Sequence, residues 1–298
     1  MVTSPGILTG DEQLSTTSPI YIDIAKFVVA IQCADVEMEA RIRRRYAAFL
    51  TPPTTTVAAT ISLTIEPGAR FVEIKPGSWI IETAAVDGVV NFTSYLEKGS
   101  FDLASRHGVL TMAPEAHVEN YLRVVYAHLC LNANSLLLHA AGVIREGLGY
   151  VFFGPSGAGK TTTSRLAAAT ADVLSDDLVI LREHEDGYHL YGVPFKGELS
   201  DAPRANQTAP LQAIFRLRQD RRHAIQPLPR IVATAELAGA APFVNNDKSL
   251  ADQLLGVCHH LANAVPVQTL HFRRDDGFWQ VIDEQNRVLS QTASANGR

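Results

Sequence analysis

The chain has 298 residues, of which 46% are hydrophobic, enough for a sizeable core in one large domain or two ordinary ones. Its formal net charge of −5 gives no overall basic surface, so the composition offers no support for nucleic-acid binding. No stretch approaches the roughly 18 uninterrupted apolar residues of a membrane-spanning helix, and the N-terminus lacks a secretion-signal pattern. Three widely spaced cysteines are typical of reduced thiols. We therefore expect a soluble cytoplasmic protein without nucleic-acid or membrane partners.

The first part of the chain predicts a flexible arm and then a small mixed sheet. Residues 1–18 are rich in Ser, Thr, Gly and Pro and are expected to be the arm. Order is expected to begin near Tyr21 with a strand-like run to Cys33, followed by a helix with acids in its first turn and arginines at its end. A mixed α/β accessory domain is predicted over 19–132, with strands at 55–65, 70–74, 78–83 and 89–95 and a helix at 118–131.

The second part of the chain predicts a strand, a loop, a helix and a further strand that follow one another closely. A core domain is predicted over 133–290, followed by a flexible tail at 291–298. Its expected elements are strands at 136–144, 150–153 and 173–181 and a helix at about 160–170. Residues 201–237, with four prolines and several arginines, are interpreted as a long mobile insertion. The sequence Asp275-Asp276-Gly277 predicts a hairpin turn.

The most informative motif is a glycine followed by four residues and Gly-Lys-Thr, at residues 154–161 (the phosphate loop). Glycines let backbone N–H groups turn inward around phosphate oxygens, and Gly157 and Gly159 are placed for this. Lys160 supplies a compact charge for the β- and γ-phosphates, and the Thr161 hydroxyl can ligate Mg²⁺. The start of the next helix adds about half a positive charge. The motif predicts ATP and Mg²⁺ binding, and the expected nucleotide-binding residues are Gly154, Pro155, Ser156, Gly157, Ala158, Gly159, Lys160, Thr161 and Thr162.

A second acidic element follows the phosphate loop closely. Asp176 and Asp177 (the acid pair) come sixteen and seventeen positions after Lys160, which leaves room for one short helix and a return strand. Two carboxylates beside a metal suit a division of labour, in which one helps to hold Mg²⁺ and the other accepts the proton of an attacking hydroxyl. A structural role for one of them, as a cap or a salt-bridge partner, stays open.

Three linked pieces, the strand at 137–143, the phosphate loop and the tract Leu174-Ser175-Asp176-Asp177, resemble the kinase domain of HPr kinase/phosphorylase. That fold is shared with phosphoenolpyruvate carboxykinase, so the resemblance, which covers about residues 135–196, implies an α/β P-loop kinase core. In the family the first aspartate is the general base, which implies that role for Asp176, with Asp177 and Thr161 on the Mg²⁺ side. His139 resembles a family histidine near the phosphates, although a lone histidine in a buried strand also fits a core residue.

The sequence departs from the bifunctional members of that family. Thr162 stands where they carry a glutamate, and their downstream run similar to RGLGIIN is missing. The tract at 192–198 instead resembles HPr-kinase-like proteins of peptide maturation. The resemblance therefore implies a Mg²⁺- and ATP-dependent kinase acting on a Ser or Thr hydroxyl of a peptide or protein. It also adds a homo-oligomer to the partners to be considered.

Two other functions remain open at this point. One is a kinase for a small hydroxylated metabolite, and the other is a nucleotide-dependent switch or chaperone. The arginine-rich segment 216–223 fits either a lid or a solvated loop, and Arg43-Arg44-Arg45 fits a helix surface or a substrate contact. No metal site is expected at Cys258-His259-His260, because adjacent helical residues point in different directions.

Overall fold

The computed structural model describes residues 18–73, 81–195, 197 and 206–296, with the backbone alone for 289–296. Within these ranges the chain is an α/β protein with two mixed β-sheets, which confirms the predicted fold class at this level. The predicted N-terminal arm lies outside the described residues, apart from Ser18. The backbone of the last helix continues to Asn296, well into the predicted tail.

The first sheet has seven strands in the described part of the chain. They are β1 (Ile20–Ile24), β2 (Phe27–Cys33), β3 (Ala59–Ile65), β4 (Ile81–Val86), β5 (Val89–Ser94), β6 (Glu97–Asp102) and β7 (His107–Met112). Their order in the sheet is β1-β2-β3-β7-β6-β5-β4. Strands β2, β3 and β7 are parallel neighbours, and the remaining pairs are antiparallel.

Several predicted strands of this sheet are confirmed and others need correction. The run at 21–33 is a hairpin of two strands, with Ala25 and Lys26 at positive φ in its turn. Residues 70–73 form no strand, while 74 and 78–80 lie outside the described residues. The hairpin of β6 and β7 was not predicted, because Gly99 and Gly108 interrupt the strand pattern. Both glycines are required where they stand, since a Cβ at either position would collide with β7 or with Tyr121.

Helix α1 (Val36–Arg45) connects β2 to β3 and begins where the sequence predicts. The Asp35 carboxylate accepts a hydrogen bond from the Met38 N–H at 2.7 Å, which satisfies one of the unpaired donors of the first turn. Met38 and Ile42 are buried one turn apart against the sheet. Of the arginines near the end of the helix, Arg44 is exposed, whereas Arg45 is largely buried.

The second sheet has eight strands among the described residues. They are β8 (Leu136–Arg145), β9 (Leu148–Phe153), β10 (Asp172–Ser175), β11 (Leu178–His184), β12 (Gly187–Tyr191), β13 (Thr208–Gln219), β14 (Ala224–Pro227) and β15 (Val267–Phe272). Pairing from β8 through β9, β13, β12 and β11 returns to β8, so these five strands form a closed circuit. Strands β9, β13 and β15 run parallel, so their carboxyl ends lie at one edge.

Five further α-helices lie in the described part of the chain. They are α2 (Glu119–Asn132), α3 (Lys160–Ala167), α4 (Arg230–Gly239), α5 (Ala251–Ala264) and α6 (Phe278–Asn296). Eleven of the fourteen residues of α2 are buried, as expected for a helix enclosed by protein, and α2 contacts strands of both sheets. One hydrophobic core extends from Ile20 through α2 to Val267, so the two predicted domains pack together across their boundary at 132/133. None of the helices in the described ranges is long and apolar enough to cross a membrane.

Two predictions for the second part are wrong. Residues 201–237 are not a mobile insertion in their described portion, because β13 lies inside the sheet with Ile214 and Phe215 buried. Two of the prolines that suggested a loop stand at element boundaries, since Pro227 ends β14 and Pro229 precedes α4. Residues 275–277 do not turn a hairpin, because α6 follows them. The Asp275 carboxylate accepts a hydrogen bond from the Gly277 N–H at 3.0 Å just before that helix.

The buried histidine of α2 gives the first testable prediction. His128 is 3% exposed, and burial lowers its pKa from 6.5 to about 4. Below pH 6.5 the unfolded chain takes up a proton that the folded chain excludes, so stability is lost as the pH falls toward 4. Relative to His128→Leu, we expect the wild type to lose roughly 3 kcal/mol of unfolding free energy between pH 7 and pH 4. Urea titrations across this range measure it, and parallel pH profiles for the two proteins would contradict it.

Candidate functional site

The phosphate loop connects β9 to α3 at the sheet edge where β9, β13 and β15 end. Strand β9 ends at Phe153 and α3 begins at Lys160, so the predicted order of strand, loop and helix is confirmed. Pro155, Ser156 and Gly157 at the tip of the loop are exposed, which leaves this surface open to a ligand. Thr161 and Thr162 lie in the first turn of α3.

Lys160 is buried although it carries a charge. Its side chain folds back across the loop, and Nζ donates a hydrogen bond to the Gly154 carbonyl oxygen at 3.1 Å. A buried ammonium group that meets a carbonyl oxygen keeps a strong attraction for an anion. The lysine is therefore held beside the loop backbone, as the sequence motif requires.

The ends of two neighbouring strands fix the conformation of the loop. Gln219, the last residue of β13, donates a hydrogen bond from Nε2 to the Gly157 carbonyl oxygen at 2.8 Å. Phe272, the last residue of β15, packs its ring against Gly159, where φ is 112° and a Cβ would lie 2.5 Å from Cζ of the ring. Gly159 is therefore required both by its backbone conformation and by the close approach of Phe272.

This contact gives a second prediction. Gly159→Ala is expected to lower the free energy of unfolding by about 2 kcal/mol or more, since it adds a steric collision to backbone strain. Gly157→Ala is the matched control: φ is 79° there, but nothing lies within 4 Å of the added Cβ, so we expect about 1 kcal/mol from strain alone. Chemical denaturation of both variants, and of Gly159→Ala combined with Phe272→Leu, measures the difference. Equal losses for the two alanine variants, or no recovery in the double variant, would show that Phe272 does not set the cost.

The acid pair lies in the break between β10 and β11. Both strands pair with the same side of β8, β10 with its second half and β11 with its first half. Ser175 holds the break, because its Oγ accepts hydrogen bonds from the N–H groups of Asp177 at 3.2 Å and Leu178 at 3.1 Å. The interruption predicted at these acids is therefore a local bulge that turns both carboxylates toward α3 and β8.

The two carboxylates have different surroundings. Asp176 is 4% exposed, and its Oδ2 accepts a hydrogen bond from the Thr161 hydroxyl at 3.2 Å. The side chain of Asp177 is 26% exposed; its Oδ1 lies 3.3 Å from His139 Nε2 and its Oδ2 lies 3.6 Å from Arg123 Nη2. Gly197 lies against both acids, since a Cβ there would come within 2.1 Å of Asp176 Oδ1. The structure therefore joins Thr161 to Asp176 and joins His139 to Asp177.

Burial also shifts the protonation of the second acid and its histidine. Burial raises the pKa of the Asp177 carboxyl, and the charges of Arg123 and His139 oppose that rise. Burial and the nearby Lys160 charge lower the pKa of His139. Asp177 is thus a stronger base than an exposed aspartate, and the histidine beside it favours the neutral form at neutral pH.

A chain of ionic contacts extends from Asp177 to the first half of the molecule. Arg123 of α2 donates to Glu119 Oε1 at 2.9 Å, and Glu119 also pairs with Arg45 at the end of α1. The ring of Phe195 lies below the Arg123 guanidinium, with its centroid 5.8 Å away. Sequence reasoning missed Glu119 and Arg123. The only signal was a glutamate four positions before an arginine on a predicted helix, a pattern that usually marks an exposed surface.

Other residues considered from the sequence lie elsewhere. Arg216 belongs to β13 and pairs with Glu236 of α4 at 2.9 Å, and His223 binds Asp275 at 2.7 Å. Cys258 is buried, and His260 contacts Glu183 at 2.8 Å. Within the described part of the chain, no three His, Cys, Asp or Glu side chains are grouped as metal ligands.

The fold and the site together describe an α/β protein with two mixed sheets and a glycine-rich loop beside two aspartates. The family model of SynChlorMet cassette protein ScmC matches residues 114–289, more than half of the chain. The chain therefore belongs to the ScmC family, whose description names no activity. The matched residues include α2, the phosphate loop and the acid pair. No curated protein matches the chain.

Proposed function

We propose that this protein binds ATP with Mg²⁺ and transfers the γ-phosphoryl group to a Ser or Thr hydroxyl of a peptide or protein. The observation that carries the proposal is the contact between the Thr161 hydroxyl and the Asp176 carboxylate. It brings the acid pair to the first turn of the helix that follows the phosphate loop. Phosphoryl transfer depends mainly on positioning and charge compensation, so one lysine, one metal and one base make a nearly complete set.

The phosphate loop would hold the triphosphate. Its exposed tip offers backbone N–H groups, Lys160 offers a charge, and α3 directs its N-terminus to the same place. Thr161 and Asp176 fit a magnesium ion, because hard oxygen donors are the ligands that this metal takes. When bound there, Mg²⁺ would neutralise the charge that develops on the phosphate oxygens.

The contacts favour a division of labour opposite to the one that the family resemblance implies. A P-loop Thr that ligates Mg²⁺ through its oxygen needs an acceptor for its own proton, and Asp176 is that acceptor here. A general base must be reached by the incoming hydroxyl, and Asp177 is the more exposed of the two acids. We therefore assign Asp176 to the metal side and Asp177 to the acceptor side.

His139 and Arg123 would support Asp177 in that role. Arg123 stabilises the carboxylate charge, and His139 approaches the opposite oxygen, so the two side chains fix the orientation of the carboxylate. The raised pKa of Asp177 increases its basicity toward a hydroxyl proton. His139 is thus a positioning residue in this proposal.

The fold is also compatible with a kinase core of the HPr kinase type over residues 133–290. The supporting observation is the succession of β8, β9, phosphate loop, α3, β10 and acid pair along the chain. The first sheet shares its core with this region, so an acceptor bound to the first sheet would be held in a fixed relation to the acid pair.

Transfer of label from [γ-³²P]ATP tests the proposal. The acceptors are the peptides and proteins encoded beside this chain, and a pool of small hydroxylated metabolites. Mass spectrometry then locates the phosphate, and a phosphorylated Ser or Thr is the expected result. Label on a small molecule alone would favour a metabolite kinase. No labelled acceptor, together with ATP-dependent capture of a partner, would favour a switch or chaperone.

A further inference from the structure

A cationic cavity lies between α1 and the residues that lead into α2. Its volume is 330 Å³ (the arginine cavity). It is lined by Arg41, Arg44, Arg45 and His117 together with Met38 and Ile42, and no carboxylate lines it among the residues that the structure describes. Positive charges at the C-terminal end of α1 interact favourably with the helix dipole, but this interaction does not require the arginines to line one cavity.

The arginine cavity carries a positive charge that the described residues only partly compensate. Arg41 donates to the carbonyl oxygens of Pro114 and Ala116, which fix the guanidinium without neutralising it. Arg44 is exposed, and within the described ranges neither Arg41 nor Arg44 forms an ion pair. Glu119 pairs with Arg45, but it also pairs with Arg123. The cavity is therefore suited to an anion, although the whole chain is negative.

The arginine cavity is connected to the candidate site through half-buried and buried ions. Arg45 contacts Glu119, Glu119 contacts Arg123, and Arg123 contacts Asp177. These side chains come from α1, α2 and the break after β10, so the cavity and the acid pair lie at two ends of one packed network.

We propose that the arginine cavity binds a carboxylate of the peptide acceptor while the acceptor hydroxyl lies at Asp177. The proposal rests on the proposed function. Guanidinium groups match carboxylates in geometry and charge, and the apolar side chains of Met38 and Ile42 suit the methylene groups that precede an acidic head. The carboxylate belongs to an acidic side chain or to the end of the peptide, and the test separates these two sources.

Fluorescence anisotropy without nucleotide tests the cavity. The probes are three fluorescein-labelled nonapeptides of Ser, Ala and Gly: one with four Glu and an amidated end, one with four Gln and an amidated end, and one with four Gln and a free carboxylate. One of the two carboxylate-bearing peptides is expected to bind about tenfold more tightly than the amidated Gln peptide. Its affinity is expected to fall as the salt concentration rises. Arg44→Ala should remove most of this preference. Arg43→Ala is the matched control, because Arg43 is adjacent but pairs with Glu39 at 2.7 Å.

The outcomes separate this proposal from the kinase proposal. Equal binding of all three peptides, no binding at all, or equal effects of Arg44→Ala and Arg43→Ala would overturn the carboxylate site and leave the kinase assignment standing. A carboxylate preference lost in Arg44→Ala supports the site even if no phosphoryl transfer is found. The peptide that binds identifies the source of the carboxylate.

Discussion

Lys160→Ala is expected to weaken ATP binding by about 100-fold or more, the equivalent of about 3 kcal/mol. The ammonium group is buried beside the loop backbone, 3.1 Å from the Gly154 carbonyl oxygen, so its attraction for phosphate is little screened by solvent. Alanine removes the positive charge, so only the backbone N–H groups would remain to balance the negative charge of the triphosphate. Isothermal titration calorimetry with ATP and Mg²⁺ measures the change.

Two controls make this result specific. Lys98→Ala removes an exposed lysine from β6 and should leave ATP affinity unchanged. Circular dichroism and thermal unfolding test whether the Lys160→Ala protein keeps its fold after the loss of this buried side chain. A folded Lys160→Ala protein with wild-type affinity would exclude the phosphate loop as the nucleotide site.

Asp177→Asn is expected to keep ATP affinity within about twofold and to lower phosphoryl transfer by about 10²- to 10⁴-fold, the range for a general base. The amide keeps the size of the side chain but cannot accept a proton. Asp176→Asn should instead raise the Mg²⁺ concentration needed for half-maximal transfer, because its carboxylate is the partner of Thr161. Asp172→Asn, an exposed position at the start of β10, is the matched control.

The pH profile of the reaction gives an independent measure. Only the carboxylate form of Asp177 can act as a base, and burial raises its pKa. Transfer by the wild type should therefore fall as the pH drops through that raised pKa, and this acidic limb should be absent from the residual activity of Asp177→Asn. If Asp176→Asn removes the limb and Asp177→Asn shifts the Mg²⁺ requirement, the division of labour is the one implied by the family resemblance.

Some elements could be predicted from the sequence because residues close together in the chain specify them. Asp35 marks the start of α1 through the hydrogen bond that its side chain makes three residues later. The apolar runs at β8 and β9 read as strands, and the glycines and lysine of residues 154–161 define a loop between strand and helix. The break at Asp176 and Asp177 was also visible, because two charged residues interrupt an otherwise apolar run.

The wrong predictions share one physical cause. Proline and arginine in 201–237 suggested a solvated loop, whereas β13 is stabilised by strands on both sides and by burial of alternate residues such as Ala213 and Phe215. Likewise, the turn residues before α6 cap a helix because Trp279 packs on the second sheet, with its ring 5.4 Å from that of Tyr150. Local propensity is weak compared with the free energy of burying such side chains.

The sequence by itself determined the phosphate loop, the acid pair beyond it and the α/β class, because each depends on residues close together in the chain. Only the tertiary structure decided which acid meets Thr161, which meets His139, and that Arg45, Glu119 and Arg123 join α1 to Asp177. Except for the pair of Glu119 and Arg123 within α2, those contacts unite residues from different elements of the fold. Their partners are set by how β8, α2 and the first sheet pack, which no local pattern of residues encodes.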